Sequence, residues 1–244
     1  MKFLSYPISI LFFLCFGLAL LIFHPIQWFC YNVLGYKAHK IVVVWLQFWL
    51  MRSTNVLGTR YSFKNNHKID RNRPTIIVAN HQSMYDIPPI LWYFRNQHPK
   101  FISKRELGKG IPSVSYNLRY GGSVLIDRRK PLQSIKAIEE FAKQVEKNNW
   151  AAVIFPEGTR SRDGKPKAFK TKGLNTLLEY MPTAQIVPLT INNSWKMLRF
   201  GQFPMGLGAH IKYTVHIPLD NNPDNVEKLI QTIEKQITEA ISYE

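Results

Sequence analysis

A histidine and an aspartate, His81 and Asp86, lie five residues apart directly after the apolar run Thr75–Ala79. A short run rich in β-branched residues is typical of a buried strand, and the pair falls where that strand is predicted to turn into a helix. A carboxylate there can accept a hydrogen bond from one imidazole nitrogen and leave the other as a general base. Taken alone, the spacing is also typical of a helix-capping histidine beside a surface aspartate.

Three further segments deliver cations to the ends of predicted strands. The run Phe155 to Ser161 reads FPEGTRS and carries Arg160, the run from Gly122 ends at Arg128, and Lys104 follows a third strand. Arginine offers phosphate a planar fork of donors, and Gly158 permits a tight turn where an anion can approach. Because ligands bind at the carboxyl ends of parallel strands, the sequence predicts a base and several phosphate-binding cations along one sheet edge.

The elements that must position these residues alternate between strands and helices, and no internal repeat is visible. This alternation predicts an α/β fold with a largely parallel central sheet flanked by helices. The predicted strands are Thr75–Ala79, Phe101–Ser103, Ser123–Ile126, Ala151–Phe155, Ile186–Ile191 and Ile211–Ile217, and the predicted helices are Ser83–Phe94, Leu132–Lys147, Thr171–Tyr180 and Val226–Ile241.

The N-terminal region is predicted to be a membrane anchor. The 21 residues from Phe3 to Phe23 carry no charge, which matches the length of a helix that crosses a bilayer. A second apolar segment, Ile41–Met51, is too short to span and suits a helix in the interface. We therefore divide the chain into membrane-anchoring helices at 1–58 and an α/β domain at 59–244. The alternatives are a cleaved signal peptide, for which no cleavage site follows, and two core helices of a soluble protein.

The chain is strongly basic, with a formal net charge of +16 in 244 residues. Residues 173–244 carry 5 basic and 7 acidic residues, so the positive charge lies in the first two thirds. An anionic partner is expected, although charge alone does not separate nucleic acid, an anionic membrane and a phosphorylated substrate. The two cysteines, Cys15 and Cys30, form no CxxC pair, which predicts neither a disulfide framework nor a structural zinc site.

Taken together, these segments resemble the 1-acylglycerol-3-phosphate acyltransferase family of glycerolipid acyltransferases. Its four blocks occur in order over roughly residues 60–220: NH-x4-D at His81 and Asp86, the Asp-Arg block ending at Arg128, FPEGTRS from Phe155, and a strand containing Pro188. The family's Lys-x-Glu-Leu segment matches from Lys104.

The resemblance implies transfer of an acyl group from acyl-CoA or acyl carrier protein to the sn-2 hydroxyl of lysophosphatidic acid, giving phosphatidic acid. His81 and Asp86 are the implied catalytic pair. Acceptor binding is implied for Glu157 and for Arg128, Arg160 and Lys104, with Gly158 and Thr159 in the same block. No bound cofactor or metal is expected, since the thioester is already activated.

The implied partners are a phospholipid membrane, lysophosphatidic acid and the acyl donor, with no nucleic acid. The expected location is a membrane, the cytoplasmic one if the protein is bacterial, with the site facing the cytoplasm. Other acceptors stay open: glycerol-3-phosphate, a lysophospholipid with a larger head group or a lyso-ornithine lipid. A non-catalytic protein that binds anionic lipid is the alternative of a different class.

Overall fold

The structure is a computed structural model that describes residues 2–127 and 129–242. Within these residues it contains eight strands in one sheet, with the order β1-β7-β6-β2-β5-β3-β4 and β8 paired to β6. The strands are β1 (Arg60–Lys64), β2 (Thr75–Ala79), β3 (Pro99–Lys104), β4 (Val124–Ile126), β5 (Ala151–Ile154), β6 (Gln185–Asn192), β7 (His210–Val215) and β8 (Leu219–Asp220).

The centre of the sheet is parallel, and only β7 and β8 run antiparallel to their neighbour β6. The strands β6, β2 and β5 are buried along their whole length, which explains why their sequences are continuous apolar runs instead of alternating ones. The predicted fold class, α/β with a largely parallel sheet, is confirmed.

Helices cover both faces of the sheet. They are α1 (Lys2–Phe29), α2 (Tyr36–Ser53), α3 (Ile87–Tyr93), α4 (Val114–Tyr120), α5 (Pro131–Lys147), α6 (Thr171–Tyr180) and α7 (Val226–Glu239). Because side chains alternate along a strand, Ile77 and Val153 pack on one face with residues of α1 and α3, whereas Ile76 and Ala152 pack on the other with α5, α6 and α7.

The first helix is longer than the uncharged run that predicted it. It begins at Lys2, and helical structure continues as a π-helical turn to Leu34. This is the one helix, among the residues described, that is long and apolar enough to cross a membrane, and 11% of its most apolar 18-residue window is buried. Its exposed side chains include Phe3, Leu14 and Leu18. The second apolar segment lies within α2, which packs against both α1 and α3.

The first helix also packs directly on the α/β part of the chain. Phe12 is fully buried, and its ring contacts Tyr85, which lies between His81 and Asp86 in the sequence. The backbone N–H of Met205 donates to Ser9 Oγ at 2.8 Å. The division at residues 58 and 59 stays a prediction, and the contacts of Phe12 show that α1 helps to fix the turn that carries the histidine.

Candidate active site

The turn after β2 brings His81 and Asp86 together as the sequence predicts. The Nδ1 atom of His81 lies 2.9 Å from Asp86 Oδ2, and the aspartate side chain is fully buried. No described group forms a hydrogen bond with the other ring nitrogen, Nε2. A carboxylate on Nδ1 favours the tautomer that leaves Nε2 unprotonated, which is the form that accepts a proton.

Asp86 is held in place by the backbone of the same turn. Its Oδ2 atom also accepts from the N–H groups of Gln82 and Ser83, at 2.8 and 2.9 Å. Ser83 caps the short 3-10 helix Met84–Asp86 by accepting from the N–H of Tyr85. Three polar neighbours converge on this one oxygen and hold the carboxyl group against His81. The hydroxyl of Ser83 therefore has a structural role in this turn.

The FPEGTRS segment contacts His81 from the neighbouring strand end. Glu157 Oε1 accepts from the backbone N–H of His81 at 3.0 Å, and the N–H of Ser161 donates to the His81 carbonyl at 2.7 Å. The Phe155 ring stacks on the imidazole with centroids 4.1 Å apart. These contacts fix the histidine on both its backbone groups and one ring face. Sequence analysis did not identify the contribution of Phe155.

Glu157 is almost completely buried, with 2% of its surface exposed. Burial raises the pKa of its carboxyl to about 7, although hydrogen bonds from the backbone of His81 and Lys167 oppose the shift. Within the described part of the chain its Oε2 atom has no hydrogen-bond partner. The contact with the His81 backbone makes Glu157 a positioning residue for the histidine, and its predicted contact with an acceptor stays a prediction.

Asn80 links the turn after β2 to β6. Its side-chain amide donates to the Ile191 carbonyl at 2.8 Å and accepts from the Ile191 N–H at 2.7 Å. Asn80 is 2% exposed, so both hydrogen bonds are shielded from water. The sequence signal for this role was only the asparagine that precedes the histidine in the NH-x4-D block.

Replacing Asn80 with alanine is expected to lower the free energy of unfolding by about 2 kcal/mol, because two buried backbone groups lose their partner. The measurement is the midpoint of urea denaturation in detergent. Asn96→Ala, at an exposed position, is the matched control and should leave the midpoint unchanged. Equal midpoints for the two variants would show that the Asn80 amide contributes nothing.

A cavity of about 1030 Å³ begins beside His81 and runs under the first two helices. Near His81 it is lined by Gly158, Thr159, Arg160 and Lys104. No acidic side chain among the described residues forms an ion pair with Arg160 or Lys104. Cations without carboxylate partners beside a base are suited to holding a phosphate.

The remaining predicted site residues are placed as follows. Gly158 has a positive φ of 70°, a conformation that favours glycine, and an added Cβ would lie 3.2 Å from the Lys170 side chain. The Thr159 hydroxyl accepts from Lys167 Nζ at 3.1 Å. Arg128 lies outside the described residues. Among the residues that the structure describes, no three His, Cys, Asp or Glu side chains lie close enough together to bind a metal ion.

The cavity lining also contains a group of polar residues away from His81. Tyr36 and His39 at the start of α2 meet His98 and Lys100 at the start of β3, and we call these four the polar recess. The Tyr36 hydroxyl lies 2.8 Å from His98 Nε2. No spacing rule connects these residues, because the contact between α2 and the sheet edge brings them together.

Comparison with known proteins agrees with this geometry. The chain is 29% identical over 153 residues to a chloroplastic 1-acyl-sn-glycerol-3-phosphate acyltransferase of Arabidopsis thaliana, an alignment that covers 63% of this chain and 41% of that protein. It is 24% identical over 238 residues to the 1-acyl-sn-glycerol-3-phosphate acyltransferase of Pseudomonas aeruginosa, covering 96% of this chain and 90% of the relative. The chain thus spans less than half of the Arabidopsis relative.

Among solved structures, the 1-acyl-sn-glycerophosphate acyltransferase PlsC from Thermotoga maritima superposes with a TM-score of 0.65 at 26% identity. The match covers 91% of this chain and 93% of that one. A family model described as Acyltransferase matches residues 60–192, which include the turn after β2, the FPEGTRS segment and most of the sheet. Since that match covers more than half of the sequence, the chain belongs to the acyltransferase family.

Proposed function

We propose that the protein transfers an acyl group from a thioester, acyl-CoA or acyl carrier protein, to the free sn-2 hydroxyl of lysophosphatidic acid. The observation that carries the proposal is the arrangement at the end of the cavity near His81. There, a histidine oriented by a buried aspartate lies in the same cavity wall as Arg160 and Lys104, two cations without a described acidic partner. Relatives named as 1-acyl-sn-glycerol-3-phosphate acyltransferases support the same acceptor.

In the proposed reaction, His81 Nε2 takes the proton of the acceptor hydroxyl as its oxygen attacks the thioester carbonyl carbon. Asp86 stabilises the imidazolium that forms. When the tetrahedral intermediate collapses, the bond between carbon and sulfur breaks, and the imidazolium returns its proton to the departing thiolate. Arg160 and Lys104 hold the acceptor phosphate, which fixes the hydroxyl beside Nε2 and lowers the entropic part of the barrier.

The cavity supports binding of one long acyl chain. Its lining includes the apolar side chains of Val43, Leu50, Leu91, Phe101 and Leu118. The acceptor's own chain can stay in the bilayer, whereas the donor's chain must be transferred from a water-soluble carrier and shielded from water. We assign the cavity to the donor chain for that reason.

Membrane attachment through the N-terminal helices is part of the proposal. The exposed aromatic side chains Trp28, Trp45 and Trp49 suit the interface between lipid and water. An interfacial site reaches a lipid acceptor without extracting its chain into water. The basic residues that follow α1 favour an orientation with the site on the cytoplasmic side.

The test is acyl transfer by detergent-purified protein, with labelled acyl-CoA and lysophosphatidic acid, glycerol-3-phosphate and lysophosphatidylcholine offered separately. We expect product from lysophosphatidic acid alone. Arg160→Lys is expected to raise the KM for lysophosphatidic acid by about tenfold, because lysine loses the bidentate phosphate contact.

Arg73→Lys is the matched control for this measurement, since Arg73 pairs with Asp220 at 2.8 Å and does not line the cavity. Product from another acceptor would mean that the protein catalyses acyl transfer to a different substrate. An unchanged KM in Arg160→Lys would remove Arg160 from phosphate binding. No product with acyl-CoA or acyl carrier protein as donor would favour the lipid-binding alternative.

A further inference from the structure

The polar recess buries a cation in the cavity lining, toward the opposite end of the parallel strands from His81. Lys100 is 5% exposed, and its Nζ atom lies 5.4 Å from the ring centroid of Tyr36 and 5.0 Å from that of Trp150. Cation–π contacts attract the ammonium but accept none of its three N–H donors in the way an oxygen does. Among the described residues, no carboxylate or other hydrogen-bond acceptor contacts Lys100.

His39 is the buried residue of the recess whose polar atoms are unpaired. It is 1% exposed, and within the described part of the chain neither ring nitrogen has a hydrogen-bond partner. Buried polar groups in proteins are nearly always paired, and each unpaired one costs free energy. An unpaired buried imidazole beside a buried cation in one cavity lining indicates a ligand with its own polar atom.

Strand register gives the depth of the recess. Lys100 pairs with Ala152, which pairs with Ile76, and His81 follows Ile76 by five residues. The strand rise from Ile76 to Ala79 and the two strand spacings between β2 and β3 put Lys100 roughly 14 Å from the end of β2, and His81 follows two residues later. A donor chain with its carbonyl carbon at His81 therefore places its distal carbons, and not its middle, beside Lys100.

We propose that the polar recess binds a hydroxyl carried near the far end of the donor acyl chain, so that the protein accepts hydroxylated acyl chains. This inference rests on the function proposed above. The hydroxyl oxygen accepts from the Lys100 ammonium, and the hydroxyl proton is donated to a ring nitrogen of His39. A terminal methyl group in the same position displaces the water that hydrates Lys100 and His39. The methyl group cannot form the hydrogen bonds that this water made.

The experiment compares pairs of donors that differ only in an ω-hydroxyl group, from dodecanoyl-CoA to hexadecanoyl-CoA, a series that brackets the depth of the recess. For each pair we measure the ratio of kcat/KM for the hydroxylated donor to that for the unsubstituted one, with lysophosphatidic acid as acceptor. In Lys100→Met this ratio is expected to fall by about tenfold for the best-fitting length, the effect of one hydrogen bond to a charged group.

Lys147→Met is the matched control, because Lys147 is exposed at the end of α5 and does not line the cavity. Lys147→Met should have the same ratio of kcat/KM for the two donors as the unsubstituted protein. A ratio that is the same in Lys100→Met and Lys147→Met at every chain length would overturn the proposal.

A binding measurement separates this inference from the proposed function. The Kd of each donor for the His81→Ala variant is measured without catalysis, with and without Lys100→Met. Tighter binding of the ω-hydroxy donor that depends on Lys100 supports the recess, even if lysophosphatidic acid proves not to be the acceptor. Equal loss of affinity for both donors in Lys100→Met would assign the lysine to packing and contradict hydroxyl recognition.

Discussion

Replacing His81 with alanine is expected to lower kcat for acyl transfer by about 10³-fold to 10⁴-fold, the upper part of the range for a general base. The side chain has 16% of its surface exposed and lines the cavity, so its removal deletes the proposed proton acceptor. The KM for lysophosphatidic acid should change little, because the phosphate contacts are assigned to other residues. The measurement is steady-state acyl transfer in detergent at saturating donor.

Asp86→Asn should produce a loss within the same range for a different reason. Because Oδ2 accepts from the backbone N–H groups of Gln82 and Ser83 as well as facing His81, the asparagine oxygen takes this position and still accepts from Nδ1. The ring stays in place, but the negative charge that stabilises the imidazolium is lost. Asp86→Ala would also remove the acceptor of two backbone N–H groups, so asparagine is the sharper test.

His67→Ala is the matched histidine control, since among the described residues His67 takes part in a hydrogen bond only through its backbone N–H, and the residue does not line the cavity. It should keep the activity of the unsubstituted protein. More than a tenth of that activity in His81→Ala would contradict the role of general base. Unchanged thermal unfolding in His81→Ala would show that any loss is chemical and not a failure to fold.

Much of the fold, and the contact between His81 and Asp86, was predictable from sequence. Buried parallel strands are continuous β-branched runs, so the residues of β2, β5 and β6 were recognisable, and their carboxyl ends located the candidate residues. The edge strand β1 was missed because Arg60–Lys64 mixes charged and half-exposed residues. The short helix α4 was also missed, because one or two helical turns give too little periodicity to detect.

Contacts between distant segments were not predictable. Two examples are the stacking of Phe155 on His81 and the hydrogen bond from Asn80 to Ile191. Both depend on the order of the strands in the sheet, which no single segment of the sequence determines. The polar recess is a stronger example, since its four residues lie on two elements far apart in the chain. A single lysine at the start of a strand is expected to be exposed. Lys100 is buried because α2 packs on the sheet edge.

Replacing Lys100 with methionine is expected to raise the free energy of unfolding by about 3 kcal/mol at neutral pH. Burial, and then the charge of Lys40, lowers the pKa of Lys100 from 10.5 to about 7. That shift corresponds to a cost of about 5 kcal/mol for the buried ammonium. Loss of the contacts with Tyr36 and Trp150 offsets about 1 kcal/mol for each ring. Urea denaturation in detergent measures the difference.

The pH dependence follows from the direction of the shift. Between about pH 7 and 10.5 the unfolded chain binds the proton that folded Lys100 has released, so the unsubstituted protein gains stability as pH rises through this window. The advantage of Lys100→Met should therefore be largest below about pH 7 and shrink toward pH 10.5. The groups around the ammonium, Lys40, His39 and His98, supply no negative charge that would reverse this sign.

Lys147→Met should leave the denaturation midpoint unchanged at every pH, because that side chain is exposed in both states. A less stable Lys100→Met, or a difference that does not narrow with pH, would mean that the ammonium has an acceptor in the folded protein. A stabilised variant that has lost its relative preference for the ω-hydroxy donor would show that Lys100 opposes folding and serves substrate selection. Such an exchange of stability for function is expected where a buried group contacts a ligand.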